Sequence, residues 1–314
     1  MTFFFSEAPN SYKFQKILCN FLQKKKNWIK IPYKKNTIVH WCYNSSNSII
    51  KSYPYYTIFT RKDLFFLNLR NTNINLPYTY LLTNGSWYPH RPIKKKTIWF
   101  FKHPYLDGSR GIMISKNVDK FISHSCKKPQ HSFIIQENIP RIWLFNGRKC
   151  DIRLWGIIIG DKNRLNLCIF KKGTLRVNPN HYCELSDDLN FQLTNSSFFK
   201  KKISLNNLIY PFTDNIELYN LSFNKIIQQL TLFWKKIYPI LQKKTYQGPY
   251  LELFGFDFIC NKDGIPFFIE CNRKPNYHNI DRYQECVETL IPNFLEPLLQ
   301  KKKFISHPLW INLS

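Results

Sequence analysis

Acidic residues and alanine are both scarce in this chain of 314 residues. Lys and Arg together number 46 against 20 Asp and Glu, which leaves a formal net charge of +26 at pH 7. A surplus of this size predicts affinity for a polyanion, whether a nucleic acid, an anionic membrane or an acidic protein segment. Because a genome biased toward codons for Lys, Asn and Ile would also deplete alanine, composition alone does not choose among these partners.

Cysteines at metal-binding or disulfide spacings are also missing. The nine cysteines include no CxxC pair and no ladder of regular spacings, which argues against a zinc module and a disulfide framework and favours a reducing compartment. The stretch MTFFFSEAPN has no basic start followed by a long apolar run, and no window approaches the length needed to span a bilayer. We therefore expect a soluble cytoplasmic protein without a membrane partner.

Helical and strand-like patterns alternate along the chain without an internal repeat. Apolar residues recur at helical spacing from Ser11 to Lys24, and the segments NLSFNKIIQQLTLFWKKIYPILQKK and YQECVETLIPNFLEPLLQKK predict two further helices. The segments RKCDIRLWGIII, LNLCIF and TLRVN predict three strands separated by GDKNR and KKG turns. We predict a small α/β domain over residues 1–60, a central segment over 61–140 and a carboxy-terminal segment over 141–314.

The stretch FGFDFICNKDGIPFFIECN predicts a β-hairpin with two acidic residues face to face. Asp263-Gly264 suits a two-residue type I′ turn, and that register sets Asp257 directly opposite Glu270 with Asn272 on the same face. The other face is expected to carry Phe256, Phe258, Ile269 and Cys271. Like charges across a sheet repel, so a cation is expected between them, and three hard oxygen donors suit magnesium.

Two alternatives to a metal remain for the paired carboxylates. One acid is protonated, or the following Arg273 and Lys274 neutralise the pair. These two cations are also expected either to tune the binding of an acidic substrate or to compete with magnesium.

Charged residues alternate along the strand RKCDIRLW. Lys149, Asp151 and Arg153 fall on one face, which is either an exposed ion ladder or, since the apolar GIII continues the strand, a covered face with a functional role. Lys102 ends the apolar strand TIWFF and begins a loop with Gly108 and Gly111, where backbone N–H groups could cradle a phosphate.

Taken in order, FFKHPYLDGSRGIMIS, FIIQENI, GRKCDIRLWGII, KKGTLRV, FQLTN and LFGFDFI…FFIECN resemble the tubulin–tyrosine ligase family. The resemblance is strongest from Lys102 to Asn272. It implies an α+β protein with the ATP-grasp fold, in which two α/β lobes sandwich ATP behind the small amino-terminal domain. Residues 61–140 would form the central lobe, and residues 141–314 would form the lobe that carries the metal site.

The resemblance also implies roles for individual residues. Arg153 and Arg176 would be catalytic cations, and one or two Mg²⁺ ions would be held by Asp257, Glu270 and Asn272. The residues that would bind ATP are Lys102 and Lys149 at the phosphates and ribose, Arg110 and Gly111 on the covering loop, Gln136, Glu137, Asn138 and Ile139 along the adenine edge, Asp151 at the ribose hydroxyls, and Thr194 and Asn195. Glu137 departs from the family, which usually has lysine there. Lys62 is either a further active-site charge or a surface lysine.

The family's chemistry implies an ATP-dependent carboxylate–amine ligase. A substrate carboxylate would form an acyl phosphate, and the amine of a free amino acid would displace the phosphate. The implied acceptor is the acidic tubulin C-terminal tail, and the added residue is tyrosine, glutamate or glycine, with the short chain favouring tyrosine. We expect a monomer, cytoskeleton association and no specific nucleic-acid partner. The alternatives are an inactive nucleotide-binding relative that binds microtubules through its charge, and a nucleic-acid-binding protein suggested only by charge and aromatic content.

Overall fold

The computed structural model describes residues 3–7, 13–30, 39–43, 55–92, 97–161, 164–199, 208–243, 249–273, 275 and 280–313. Its strands are β1 Phe3–Glu7, β2 Trp28–Lys30, β3 Val39–Tyr43, β4 Thr79–Thr83, β5 Ser86–Tyr88, β6 Trp99–Lys102, β7 Met113–Ser115, β8 Phe133–Glu137, β9 Leu144–Phe145, β10 Arg148–Gly160, β11 Leu165–His181, β12 Ile209–Pro211, β13 Tyr250–Cys260, β14 Pro266–Arg273 and β15 Trp310–Asn312.

The α-helices of the described residues are α1 Lys13–Gln23, α2 Thr57–Thr60, α3 Lys62–Leu69, α4 Ile122–Cys126, α5 Leu189–Gln192, α6 Ser196–Phe199, α7 Ile216–Gln242, α8 Ile280–Leu290 and α9 Glu296–Leu299. A π-helical stretch, Ile291–Leu295, joins α8 to α9, and 3₁₀ turns cover Val118–Phe121 and Phe212–Asp214. The helices predicted near residues 11–24, 220–244 and 283–302 are confirmed by α1, α7 and the α8–α9 run. Within the described ranges, no helix has the length and apolar character needed to cross a membrane.

Three mainly antiparallel sheets make this an α+β protein. The first has the order β2-β1-β3, the second β5-β4-β8-β6-β7, and the third β12-β11-β10-β13-β14 with β9 and β15 paired at its sides. Each sheet falls within one of the three predicted segments, whose boundaries stay predictions.

The third sheet is covered on both faces along most of its length. Cys150, Ile152 and Leu154 of β10 pack against the buried side of α7. On the opposite face, Trp155 and Ile157 pack beneath α1 and α8. Lys149, Asp151 and Arg153 share that second face by strand alternation, as predicted, and they are at most 7% exposed. The interpretation as an exposed ion ladder is therefore wrong.

The predicted KKG turn is wrong, because β11 runs unbroken through it. Arg153 pairs with Thr174 and Trp155 pairs with Phe170, so Lys171–Gly173 lie opposite Leu154 as a bulge. A Cβ on Gly173 would lie 2.6 Å from the backbone oxygen of Arg153, so only glycine permits this approach. Because the bulge adds an even number of residues, β11 keeps the same faces on either side of it.

Of the two predictions about the hairpin between β13 and β14, the turn type is wrong and the facing of the carboxylates is confirmed. The turn is not the predicted type I′ turn: Asn261 N–H bonds to Ile265 O at 3.0 Å around a three-residue loop, in which Gly264 has φ +69°. This shifts the inner register by one residue, so that Phe258 pairs with Phe268.

A bulge in β14 then restores the predicted register. The pairing shifts between Asp257 and Phe258, and Asp257 lies opposite Glu270 as predicted. The bulge also changes which side chains reach the core. Phe268 packs in the core beside Phe258, whereas Ile269, which we predicted on that face, lines a cleft on the other side. The shared face predicted for Phe256, Phe258 and Cys271 is confirmed, and all three pack in the core.

Gly173→Ala is expected to destabilise the protein by ~1–3 kcal/mol, the usual range for overpacking a close backbone approach. The added Cβ would meet Leu154 Cδ2 at 2.5 Å as well as the Arg153 carbonyl. Urea unfolding of the variant measures this change. The control is Lys171→Ala in the same bulge, which should change the free energy of unfolding by less than ~0.5 kcal/mol. Equal stabilities of the two variants would show that the bulge does not depend on glycine.

Candidate functional site

A cleft with about 860 Å³ of empty space, partly open to solvent, lies where the second and third sheets meet. Most predicted site residues line it: Lys102, Gln136, Glu137, Asn138, Ile139, Lys149, Asp151, Arg176, Thr194, Asn195, Asp257 and Glu270. The other four, Arg110, Gly111, Arg153 and Asn272, lie beside the lining rather than in it. The tertiary structure therefore brings together residues from across most of the chain.

A buried lysine, Lys149, and a half-buried lysine, Lys102, face the cleft from different sheets. Lys102 Nζ donates to Gln136 Oε1 at 2.5 Å, and Lys149 Nζ donates to Asn138 Oδ1 at 3.1 Å and Gln192 Oε1 at 3.2 Å. Burial lowers the pKa of Lys102 to about 8. Burial and the neighbouring Lys102 charge lower the pKa of Lys149 to about 7. Among the residues that the structure describes, no carboxylate forms an ion pair with either ammonium, so both are available to an anionic ligand.

The segment from Gln136 to Ile139 carries backbone groups at the edge of the cleft. The N–H groups of Glu137 and Asn138 are used within the fold, since they donate to Tyr78 O and Ile98 O at 2.9 Å. Among the described residues, the N–H of Ile139 has no hydrogen-bond acceptor. That N–H is therefore the donor that this segment offers to a flat, hydrogen-bonding ligand.

Two arginines bind two aspartates on the cleft face of the third sheet. Arg176 contacts both oxygens of Asp151, at 2.5 and 2.8 Å, and reaches Asp257 Oδ2 at 2.9 Å. Arg153 contacts both oxygens of Asp257, at 2.7 and 2.6 Å. Thr194 Oγ1 also donates to Asp151. Burial raises the pKa of Asp151, although the Arg176 guanidinium opposes this shift.

Glu270 is held by lysines instead of arginines. Its Oε2 lies 3.6 Å from Lys62 Nζ, and Asn272 Nδ2 donates to its Oε1 at 2.8 Å and to Asp257 Oδ2 at 3.0 Å. Burial alone would raise the pKa of Glu270, but the charges of Lys62 and Lys102 lower it to about 2. Glu270 is therefore ionised at every physiological pH.

Lys62 belongs to the cleft, so the surface-lysine interpretation is wrong. Its side chain is only 12% exposed, and its Nζ donates to Leu106 O at 3.0 Å. It thus connects Glu270 to the loop that follows Lys102. The sequence offered only a weak signal for this residue, the TRKDL segment.

The donor set of Asp257, Glu270 and Asn272 fits a hard divalent cation in its chemistry. The Asn272 amide lies within hydrogen-bonding distance of the Asp257 and Glu270 carboxylates, and carboxylate and amide oxygens are preferred by Mg²⁺. Asn272 directs its amide nitrogen at both carboxylates here. Its carbonyl oxygen, on the same rotatable group, would take that position beside a cation.

The loop from Leu106 to Gly111 is shaped by left-handed backbone. Gly108, Ser109 and Gly111 have φ values of 68°, 66° and 69°. A Cβ on Gly111 would lie 3.0 Å from a Leu106 methyl group, which explains glycine there. Arg110 is exposed and donates to Asp107 O at 3.1 Å. Gly108 and Ser109, rather than the predicted Arg110 and Gly111, line the cleft.

Arg273 points away from the candidate metal ligands. Its guanidinium donates to Glu252 Oε2 at 3.2 Å and lies 3.7 Å from the ring centroid of Tyr56. Strand alternation places it on the face opposite Asn272. Neutralisation of the acidic pair and competition with magnesium by Arg273 are thus not possible in this arrangement. Lys274, named in the same expectation, lies outside the described residues.

Several cleft residues were missed from the sequence. Gln192 binds Lys149, Phe100 lies beneath the same ammonium at 5.1 Å from its ring centroid, and Asp107 and Ser109 line the covering loop. Gln192 lies within the FQLTN motif, of which only Thr194 and Asn195 were assigned a role.

The protein-family model described as the tubulin-tyrosine ligase family matches residues 43–306. This match covers most of the chain, including every residue of the cleft. The chain belongs to the tubulin–tyrosine ligase family, as the motifs predicted.

Individual relatives share modest identity over part of their length. Tubulin glycylase 3D of Tetrahymena thermophila is 28% identical over 214 residues, which are 63% of this chain and 20% of that protein. A probable tubulin polyglutamylase of Homo sapiens is 24% identical over 256 residues, 72% of this chain and 42% of that protein. Tubulin glycylase 3B of T. thermophila is 25% identical over 202 residues, which are 58% of this chain and 16% of that protein. The chain thus matches less than half the length of these relatives.

Replacing Lys149 with Met is expected to flatten the dependence of stability on pH. The unfolded lysine titrates near ~10.4, so between pH 7 and 10 the unfolded chain binds more protons than the folded chain, and stability rises with pH. The folded pKa of about 7 sets the lower limit of this window. Met cannot titrate, so the slope should fall by up to ~1.4 kcal/mol per pH unit.

Urea unfolding at several pH values measures this slope. The control is Lys116→Met, since Lys116 is exposed, and it should keep the wild-type slope. If Lys149→Met also keeps the wild-type slope, Lys149 is not held as a depressed, buried amine.

Proposed function

We propose that this protein is an ATP- and magnesium-dependent ligase that joins an amino acid to an acidic protein tail. One observation carries the proposal: in a chain of this ligase family, one cleft gathers two lysines that form no ion pair with a described carboxylate, two arginine-bound aspartates and an ionised glutamate. A carboxylate and a nucleotide triphosphate are both anionic, so a reaction between them needs cations already in place.

ATP would lie between the second and third sheets, which would act as the two lobes of an ATP-grasp fold. The adenine edge fits the Ile139 N–H and the neighbouring carbonyls, and the phosphates fit Lys102, Lys149 and the loop of Gly108 and Ser109. Asp151 and Thr194 would face the ribose. The left-handed backbone of the loop supports this placement, because it lets N–H groups approach phosphate oxygens closely.

The proposed reaction has two displacement steps. An oxygen of the substrate carboxylate attacks the γ-phosphorus of ATP, and ADP leaves, which gives an acyl phosphate. The amine of the amino acid then attacks the acyl carbon, and phosphate leaves as the amide bond forms and the amine gives up a proton. Arg176 lines the cleft and would contact the reacting anions. Arg153 lies outside the cleft lining and binds both oxygens of Asp257, so we assign it as a positioning residue.

Magnesium would be held by Asp257, Glu270 and Asn272, and when bound it would neutralise phosphate charge. Glu270 is the ligand that is easiest to free, since the described cation that pairs with it, Lys62 Nζ, lies 3.6 Å away. With Glu270 bound to a cation, Lys62 would be available to a phosphate.

The proposed acceptor is the tubulin C-terminal tail, and the protein would be cytoskeleton-associated. This acceptor is supported by the names of the relatives, two glycylases and a polyglutamylase acting on tubulin, and by the net charge of +26. Those names favour glycine or glutamate over tyrosine as the added amino acid.

An inactive nucleotide-binding relative is the second candidate. The observation in its favour is that Asp257 Oδ2 already accepts from Arg153, Arg176 and Asn272, which leaves little room for a metal. Under this alternative ATP binds and no amino acid is transferred.

Glu270→Gln is expected to lower amino-acid incorporation by ~10²-fold or more, since it removes the negative charge of a proposed magnesium ligand beside the reacting phosphates. The assay combines Mg-ATP, labelled glycine, glutamate or tyrosine, and tubulin or tail peptides. Binding of ATP without magnesium should change little.

The matched control is Glu217→Gln on the exposed first turn of α7, which should keep wild-type incorporation. Wild-type protein that binds ATP but transfers none of the three amino acids would establish the inactive relative instead.

A further inference from the structure

Two lysine runs far apart in sequence form one basic surface. The first run is Lys24, Lys25 and Lys26 at the end of α1, and the second is Lys301, Lys302 and Lys303 after α9. Glu296 joins them: it accepts from Trp28 Nε1 at 2.9 Å and from Asn27 Nδ2 at 3.3 Å. We call these six lysines the α1/α9 surface.

Backbone contacts fix the second run beside the first. Lys302 N–H donates to Pro297 O at 2.8 Å, and Lys301 N–H donates to Leu298 O at 3.1 Å. The second run therefore folds back onto the same turn of α9 that carries Glu296. Five of the six lysines are exposed, and Lys25 is partly covered because its ammonium lies 5.3 Å from the Phe21 ring centroid.

No acidic side chain of the described residues forms an ion pair with these six lysines. Glu296, the carboxylate that joins the two runs, accepts hydrogen bonds from Trp28 and Asn27. Like charges at this density repel one another, and the repulsion is relieved when a polyanion binds. The backbone contacts fix where these lysines lie, and no described carboxylate pairs with their charges.

The α8–α9 run leads from the cleft to this surface. Pro275 packs over Gly255 beside Arg153, five residues before α8 begins. Glu285 pairs with Lys172 at 2.6 Å in the bulge, and Thr289 accepts from Trp310 further along the sheet. A helical run over Ile280–Leu299 is about 30 Å long, which an extended polypeptide spans with about nine residues.

We propose that the α1/α9 surface is a second docking site, separate from the cleft, for an acidic segment of the protein substrate. The inference rests on the proposed function. A carboxylate-rich chain fits because it can occupy the surface while another of its carboxylates, about nine or more residues away, reaches the cleft. Such two-point attachment raises the effective concentration of the tail at the cleft.

The test is Lys24→Glu with Lys302→Glu, one change in each run, with tubulin and labelled glutamate peptides of about 6 and about 16 residues as probes, chosen to fall below and above the span. Fluorescence anisotropy without ATP should show tubulin and the long peptide binding ~10-fold or more weakly to the variant at low salt. The short peptide should lose less, because it cannot engage both sites.

The matched control is Lys235→Glu with Lys236→Glu, an exposed pair on α7 against the opposite face of the third sheet. It makes the same change in net charge and should weaken tubulin binding less than ~2-fold. Equal weakening by both double variants would overturn the proposal, because the attraction would then come from diffuse charge.

Two other outcomes would also overturn it. Loss of binding to phosphatidylserine vesicles or to a 20-nucleotide RNA, with acidic peptides unaffected, would assign the surface to a different polyanion. Because these measurements need no turnover, absence of ligase activity alone would contradict the proposed function and leave the docking site intact. Unchanged anisotropy of Mg-ATP analogues in the double variant checks that the cleft is preserved.

Discussion

The pairing of Arg153 and Arg176 with two aspartates is the interaction on which the cleft depends. Arg176 binds Asp151 through two contacts and also reaches Asp257, which Arg153 binds through two more. All four side chains are at most 9% exposed. Removing one partner from a buried pair leaves an uncompensated charge, which typically costs ~3–5 kcal/mol. The four side chains therefore depend on one another, because loss of any one leaves a buried charge without its partner.

The kind of cation differs from one carboxylate to the next. Arginine binds the more buried carboxylates of Asp151 and Asp257, where its planar fork matches both oxygens. Lysine lies near the more open Glu270, 3.6 Å from Lys62 Nζ, and the pKa values of Lys102 and Lys149 elsewhere in the cleft are depressed. The arginine-bound part serves as a fixed frame, and the lysine-lined part can exchange protein partners for an anionic ligand.

Two bulges place these residues, and both were hidden from simple alternation. The bulge at Lys171–Gly173 adds residues to β11 and yet keeps Arg176 on the cleft face. The bulge in β14 compensates for the longer turn and keeps Glu270 opposite Asp257. The pairing of Asp257 with Glu270 was thus predicted correctly, although the turn type used to predict it was wrong. The two shifts cancelled because the longer turn takes one residue from β13 and the bulge adds one residue to β14.

Strand alternation and ordered motifs in the sequence were enough to indicate the family, the α+β class and most of the cleft lining. Strand alternation was a reliable guide because β10 and β13 are regular where they carry charge, so that the spacing of residues predicts which face of the sheet each side chain occupies. Burial and long-range contact were decided only by the tertiary structure. It brought Lys62 from α3 to Glu270, turned Arg273 toward Tyr56 and joined two lysine runs through Glu296. No local pattern encodes these contacts, because each depends on how separate elements pack.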